Sequence, residues 1–136
     1  MRTVEVTRFV SAPRAVVDRE LEPAGIVELE GSFHVLDREE RDDGVYVTAG
    51  GGGMAMTLRF DRQEDGWRYE QRGKAGPFDD MWTEVSTAAE NEGTRVRFES
   101  GVSLGLPVAG ITDRIAAWKR RGELRRALSN LAVAVE

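Results

Sequence analysis

The sequence predicts an α+β fold: a seven-stranded antiparallel sheet, two short helices after the first strand, and a long C-terminal helix on one face. Three observations lead there. Between Ser32 and Gly105, apolar and polar residues alternate with period two in short runs separated by turn signals. Each run keeps its apolar residues on one side, as in a sheet covered on a single face. The segment after Leu104 is the only remaining stretch long enough to cover that face.

Taken in order, residues 2–10 (RTVEVTRFV) alternate and are β-branched, which predicts a strand. Pro13 suits a first helical turn, with Ser11 or Ala12 as cap, and Val16, Val17 and Leu21 recur at helical spacing. After Pro23 and Gly25, AGIVELEG offers at most a second short helix. FHVLDREE and GVYVTA flank an Asp42-Asp43-Gly44 turn, and MAMTLRFDRQ and WRYEQRGK flank Asp65-Gly66. MWTEVSTAAE and TRVRFESGVSLG meet at Asn91-Glu92-Gly93, completing a meander. Met54, Met56, Leu58 and Phe60 share one face of their strand, as do Trp67 and Tyr69, and Val96, Phe98, Val102 and Leu104. Thr112-Asp113 can start the final helix, which only Gly122 interrupts. Without repeats or linkers, residues 1–136 are expected to form one domain.

Composition narrows function. With 40% hydrophobic and 32% charged residues the chain is an ordinary globule, without an apolar run long enough to cross a membrane. The scattered charges of MRTVEVTRFV do not form a signal peptide, so a cytoplasmic location is expected. No cysteine is present, which removes disulfides, thiolate metal sites and a cysteine nucleophile. The single histidine, His34, lacks the companions for a metal site and the G-x-S-x-G elbow for a triad. A net charge of −5 argues against a general nucleic-acid binder. No cofactor is expected. The run Gly50-Gly51-Gly52-Gly53 does not cradle phosphate, because Met54-Ala55-Met56 supplies neither the lysine nor the hydroxyl of a phosphate loop, and a strand follows instead of a helix. The glycines are expected to bend the chain between two strands.

A strand leading into Ser11-Ala12-Pro13 with Val16-Val17, two short helices, the meander with its GTRVRFES strand, and a final helix with a hydrophobic stripe resemble the START-like, or Bet v 1-like, superfamily. An aromatic residue follows the first-helix valine in many relatives; here Val17-Asp18 stands. The resemblance implies a helix-grip fold, a curved sheet wrapped around the C-terminal helix with a cavity between them. It implies binding or transport of a small hydrophobic or amphipathic molecule. Met54, Met56, Leu58, Trp67, Tyr69, Met81, Thr83, Phe98, Ile111 and Ile115 are the candidate lining, with Tyr69 and Thr83 as polar handles. Relatives also include polyketide cyclase or dehydratase-like enzymes and quinone-chaperone or protein-interaction types, and these remain alternatives. No acid/base pair is evident, since Glu70, Glu84 and Glu99 fall opposite the apolar set. Stable membrane insertion is not expected; a homodimer is left open.

The last helix presents a puzzle. Leu124, Leu128, Leu131 and Val135 form a stripe that, continued backward, passes through Arg121, Ala117 and Arg114, with Ile115 and Trp118 opposite. Either the helix bends at Gly122 and changes phase, which is the expectation, or it stays straight with two arginines inward and Trp118 outward. The cluster Lys119, Arg120, Arg121, Arg125 and Arg126 is read as a solvated face. Arg8, in phase with Val4, Val6 and Val10, is read as pairing with a neighbouring side chain at a strand end.

Overall fold

A computed structural model describes residues 1–73, 78–104 and 109–136, with the side chains of 109–111 left out. The elements run β1 (Arg2–Val10), α1 (Arg14–Glu20), α2 (Pro23–Glu30), β2 (His34–Arg41), β3 (Gly44–Gly51), β4 (Met54–Gln63), β5 (Gly66–Arg72), β6 (Asp80–Glu90), β7 (Gly93–Ser103) and α3 (Ala109–Val135). The strands form one antiparallel sheet of seven in the order β1-β7-β6-β5-β4-β3-β2. Every neighbour except the β1–β7 pair is sequential, as short turns dictate. Two departures at helix starts are small. Pro13 is the N-cap of α1, its carbonyl accepting from Val16 and Val17, while Pro23 opens α2 instead of interrupting it.

The glycine run is a hairpin. Gly51 pairs with Met54, leaving Gly52 and Gly53 as the two turn residues, at φ +58° and +79°. Positive φ at both central positions matches the right-handed twist of the strands and favours glycine strongly.

The covered face of the sheet buries Val4, Val6 and Val10 from β1, Met56, Leu58 and Phe60 from β4, and Val96, Phe98 and Val102 from β7. Against them α3 lays Ala116, Ala117, Leu124, Ala127, Leu128 and Leu131. The helix is continuous through Gly122, so the expected bend is absent. Its buried stripe runs Asp113, Ala117, Arg120, Leu124, Ala127, Leu131. Stepping back four residues from Leu124 reaches Arg120, whereas stepping back three reaches Arg121. Both steps keep a residue near one helix face, and the structure takes the first. Arg114, Arg121 and Ile115 are all exposed, so neither sequence alternative places the inward residue correctly. Helix α3 also closes the end of α2: Asn130 Nδ2 donates to the Leu29 carbonyl at 2.8 Å and Arg126 donates to the Glu30 carbonyl at 3.2 Å. These satisfy carbonyls that a helix C-terminus leaves open.

Two glycine substitutions are expected to act in opposite directions. Gly122→Ala, whose added methyl meets nothing within 4 Å, should raise stability by about 0.5–1 kcal/mol through helix propensity. Gly53→Ala, forced into the left-handed region, should lower it by about 1 kcal/mol. Urea midpoints of the two variants check both signs.

Candidate functional site

Three inward-facing side chains on adjacent strands are polar. Tyr69 on β5 lies directly across from Thr83 on β6, and Thr83 directly across from Ser100 on β7. This row crosses the middle of a mostly apolar face, and Arg120 descends onto it from α3. The guanidinium is 2% exposed and all five of its N–H groups find acceptors. Nε donates to Ser100 Oγ at 3.1 Å, Nη1 to Glu30 Oε1 at 2.5 Å and Glu123 Oε1 at 3.3 Å, and Nη2 to Thr83 Oγ1 at 2.8 Å and to the Tyr69 hydroxyl. Tyr69 in turn donates to Glu30 Oε2, and Ser32 donates to Glu123 Oε2. Thr83 and Ser100 are joined at 2.9 Å, and Ser100 donates onward to the Trp82 carbonyl.

Burial works against the charge on Arg120, yet Glu30, Tyr69 and Glu123 outweigh it and hold the guanidinium well above its ordinary range. Burial pushes the Tyr69 phenol up strongly. Arg120 pulls the other way, and the adjoining Glu30 carboxyl adds to the rise. Phe60, its ring 4.6 Å from that of Tyr69, packs beside the phenol and keeps it dry. The cluster therefore holds one cation and two carboxyl groups, with every polar hydrogen of Arg120, Tyr69 and Ser32 directed at a protein acceptor.

Beside this cluster lies a cavity of about 20 Å³, room for roughly one water molecule. Val27, Phe33, Met56, Leu58, Phe78 and Met81 form its apolar wall; Glu30, Ser32, Tyr69, Arg120 and Glu123 form its polar end. The expected gap between sheet and helix is thus far smaller and more polar than the resemblance implied, because Arg120 and its partners fill the middle of it.

The expected lining residues divide accordingly. Met56, Leu58, Tyr69 and Met81 face the cavity. Thr83 and Phe98 are fully buried beneath the helix but do not reach the void; Thr83 instead holds Arg120. Trp67 is half-buried at the other end of its strand, edge-on to Phe60. Met54 and Ile115 are corrections. Met54 is 39% exposed because it sits beside the Gly52-Gly53 turn, past the edge of the covered face. Ile115 is 59% exposed because α3 does not change phase. The side chain of Ile111 lies outside the described residues.

Arg120 is a further correction to the expectation of a solvated basic face: it is buried, while Lys119, Arg121, Arg125 and Arg126 are exposed. The inward carboxyl groups are Glu30 and Glu123, which come from α2 and α3, whereas Glu70, Glu84 and Glu99 on the strands face away from the covered side. Arg8 is exposed. His34 is exposed and bonded to Glu28 at 3.2 Å. Among the described residues no cluster of three metal-ligating side chains occurs and no helix is long and apolar enough to cross a membrane.

No family model and no curated protein sequence matches the chain. Solved structures do. XoxI from Bacillus cereus shares 12% identity over 99% of this chain and 96% of its own, with a TM-score of 0.77. A START superfamily protein from Mycobacterium smegmatis shares 13% over 98% and 96%, with a TM-score of 0.69. Ara h 8.0201 shares 14% over 96% and 97%, with a TM-score of 0.61. The chain has the START/Bet v 1-like helix-grip fold. Within this helix-grip frame, the polar cluster occupies the space where sheet and long helix face each other.

Truncating Arg120 leaves two carboxyl groups buried without their cation. Arg120→Ala should cost about 3–5 kcal/mol, whereas Arg121→Ala, one residue along and exposed, should stay within about 0.5 kcal/mol. Urea denaturation of both variants decides the helix register. The raised phenol of Tyr69 also gives a pH dependence. Its ordinary value is 10.0 and the folded value lies higher, so its contribution is intact below about pH 10 and is lost as pH rises further. Stability of Tyr69→Phe should therefore fall less than that of the parent between about pH 9 and 11, read from melting temperatures across that range.

Proposed function

We propose that the protein binds a small, largely apolar molecule carrying a hydrogen-bond donor, seated at the cavity between Met56, Met81, Phe33 and Phe78 with its polar group toward Glu30 and Glu123. The observation that carries this reading is the imbalance at the polar end of the cavity. The hydrogens of Arg120, Tyr69 and Ser32 are already committed to protein acceptors. What remains toward the void is lone pairs. A phenol, alcohol or amine offers a hydrogen to them; a carboxylate or phosphate brings only more negative charge.

The void is too small for such a guest at rest, so entry requires its wall to yield. Two methionines suit that role, being unbranched and able to repack at low cost. Affinity then comes from apolar surface removed from water, about 25 cal/mol per Å², less the cost of opening the wall and of association.

One observation favours a second reading, a reaction of the cyclase or dehydratase kind. Glu30 and Tyr69 place a carboxyl and a phenol in contact at the cavity wall, the residue types that move protons. Turnover abolished by Glu30→Gln in a folded protein would support it.

Calorimetric titration with a hydroxylated aromatic and with the matching aromatic carboxylate tests the binding reading. The hydroxyl compound should bind and the carboxylate should be at least about tenfold weaker, a difference of about 1.4 kcal/mol. Met81→Ala, which enlarges the void, should tighten binding while lowering stability by about 2–4 kcal/mol. Absence of binding to the parent and to Met81→Ala alike would overturn the proposal.

A further inference from the structure

The outer face of α3 separates charge in a way the rest of the surface does not. On the exposed face of the sheet, arginines are paired: Arg59 with Asp61 and Glu70, Arg68 with Glu84, Arg95 with Glu90, Arg97 with Glu5 and Glu99. On α3 they are not. Between Arg114 and Asn130 the only acidic residue is Glu123, which is buried in the Arg120 cluster. Arg114, Lys119, Arg121, Arg125 and Arg126 are exposed there, Arg126 also donating to the Glu30 carbonyl, and among the described residues no carboxylate pairs with them. The edge strand β1 adds Arg2, which shares a groove with Arg114, Trp118 and Arg121, and Arg8, which shares one with Arg125 and with Glu5, a carboxylate paired to Arg97. Seven cations thus line one side of a protein whose net charge is −5, leaving −12 (−5 minus +7) on the remainder.

The same face carries apolar side chains with no protein neighbour to cover them. Trp118 is 79%, Ile115 59% and Val133 86% exposed. At 100° per residue these three fall within about 60° of one another, with Arg114, Arg121 and Arg125 to one side and Lys119 and Arg126 to the other. An apolar meridian flanked by cations on both sides is the arrangement of a helix that lies in a membrane interface: the ring and aliphatic groups enter the headgroup boundary while the cations meet anionic headgroups. No helix among the described residues can cross a bilayer, so the contact is peripheral. Nucleic acid would use the cations but leave Ile115 and Val133 without a purpose, and one tryptophan is a poor stacking platform.

We propose that the outer face of α3 docks the protein on an anionic lipid bilayer, with Trp118 toward the N-terminal end of that face. The surface lies on the opposite side of α3 from Arg120, so this holds whether or not the cavity takes a ligand. The test is cosedimentation of the full chain with vesicles of phosphatidylcholine alone or mixed with phosphatidylglycerol. Binding should require the anionic lipid and fall as salt rises. Arg114→Gln, Arg121→Gln and Arg125→Gln should each weaken it about fivefold; Arg41→Gln, on the far edge hairpin with the same loss of charge, should weaken it much less. Tryptophan emission should shift to the blue on binding, and the shift should disappear in Trp118→Phe. The proposal is overturned if anionic vesicles are not bound, if the three arginine variants bind as the parent does, or if the same variants lose affinity for RNA or DNA while vesicles are ignored.

Discussion

Arg120 is the constraint on which the arrangement of this protein depends. A guanidinium taken out of water is tolerated only if its charge is matched and its five hydrogens are placed, and here that requires residues from α2, α3, β5, β6 and β7 at once. Hydrophobic burial alone would let α3 slide or rotate over a sheet face lined by interchangeable aliphatic groups. The bonds to Tyr69, Thr83 and Ser100 hold it over the centre of the sheet. The bond to Glu30 fixes α2 against it, and Asn130 and Arg126 secure the end of α2 from the same helix.

The cluster also determines the shape of the hollow. A helix-grip sheet curves away from its long helix, and an apolar stripe such as Leu124, Leu128 and Leu131 would leave an apolar gap toward the other end. Arg120 and Glu123 occupy that position instead. They convert the gap into a small void with an apolar wall and an acceptor-rich end. Chemical selectivity then follows from counting hydrogens and lone pairs, not from the apolar wall, which would accept almost anything of suitable size.

Charge is divided between the two sides of α3. Inward, one cation is surrounded by its acceptors; outward, cations stand without carboxylates around an exposed tryptophan. The helix therefore sets Arg120 and Glu123 among the leucines and alanines of its inward face, and mixes cations with exposed apolar groups on its outward face. Its mean amphipathicity is correspondingly weak, and the usual apolar-in, polar-out pattern is a poor guide to its orientation.

This explains which parts were legible in the sequence. Strand positions, the inward sets Met56–Leu58–Phe60 and Val96–Phe98–Val102, and the Gly52-Gly53 bend follow from local rules: period-two alternation and the preference of glycine for positive φ. Those rules need no knowledge of distant residues. The row of Tyr69, Thr83 and Ser100 was readable in principle, since pairing across the turns aligns three hydroxyl-bearing residues on the covered face. The rotation of α3 was not, because steps of three and four residues from Leu124 fit the helical period about equally well and Arg120 and Arg121 are chemically identical. Only the presence of Glu30, on the preceding helix and 90 residues away, with Tyr69 beneath it, selects between them. That long-range pairing of charge was decided by the tertiary structure alone.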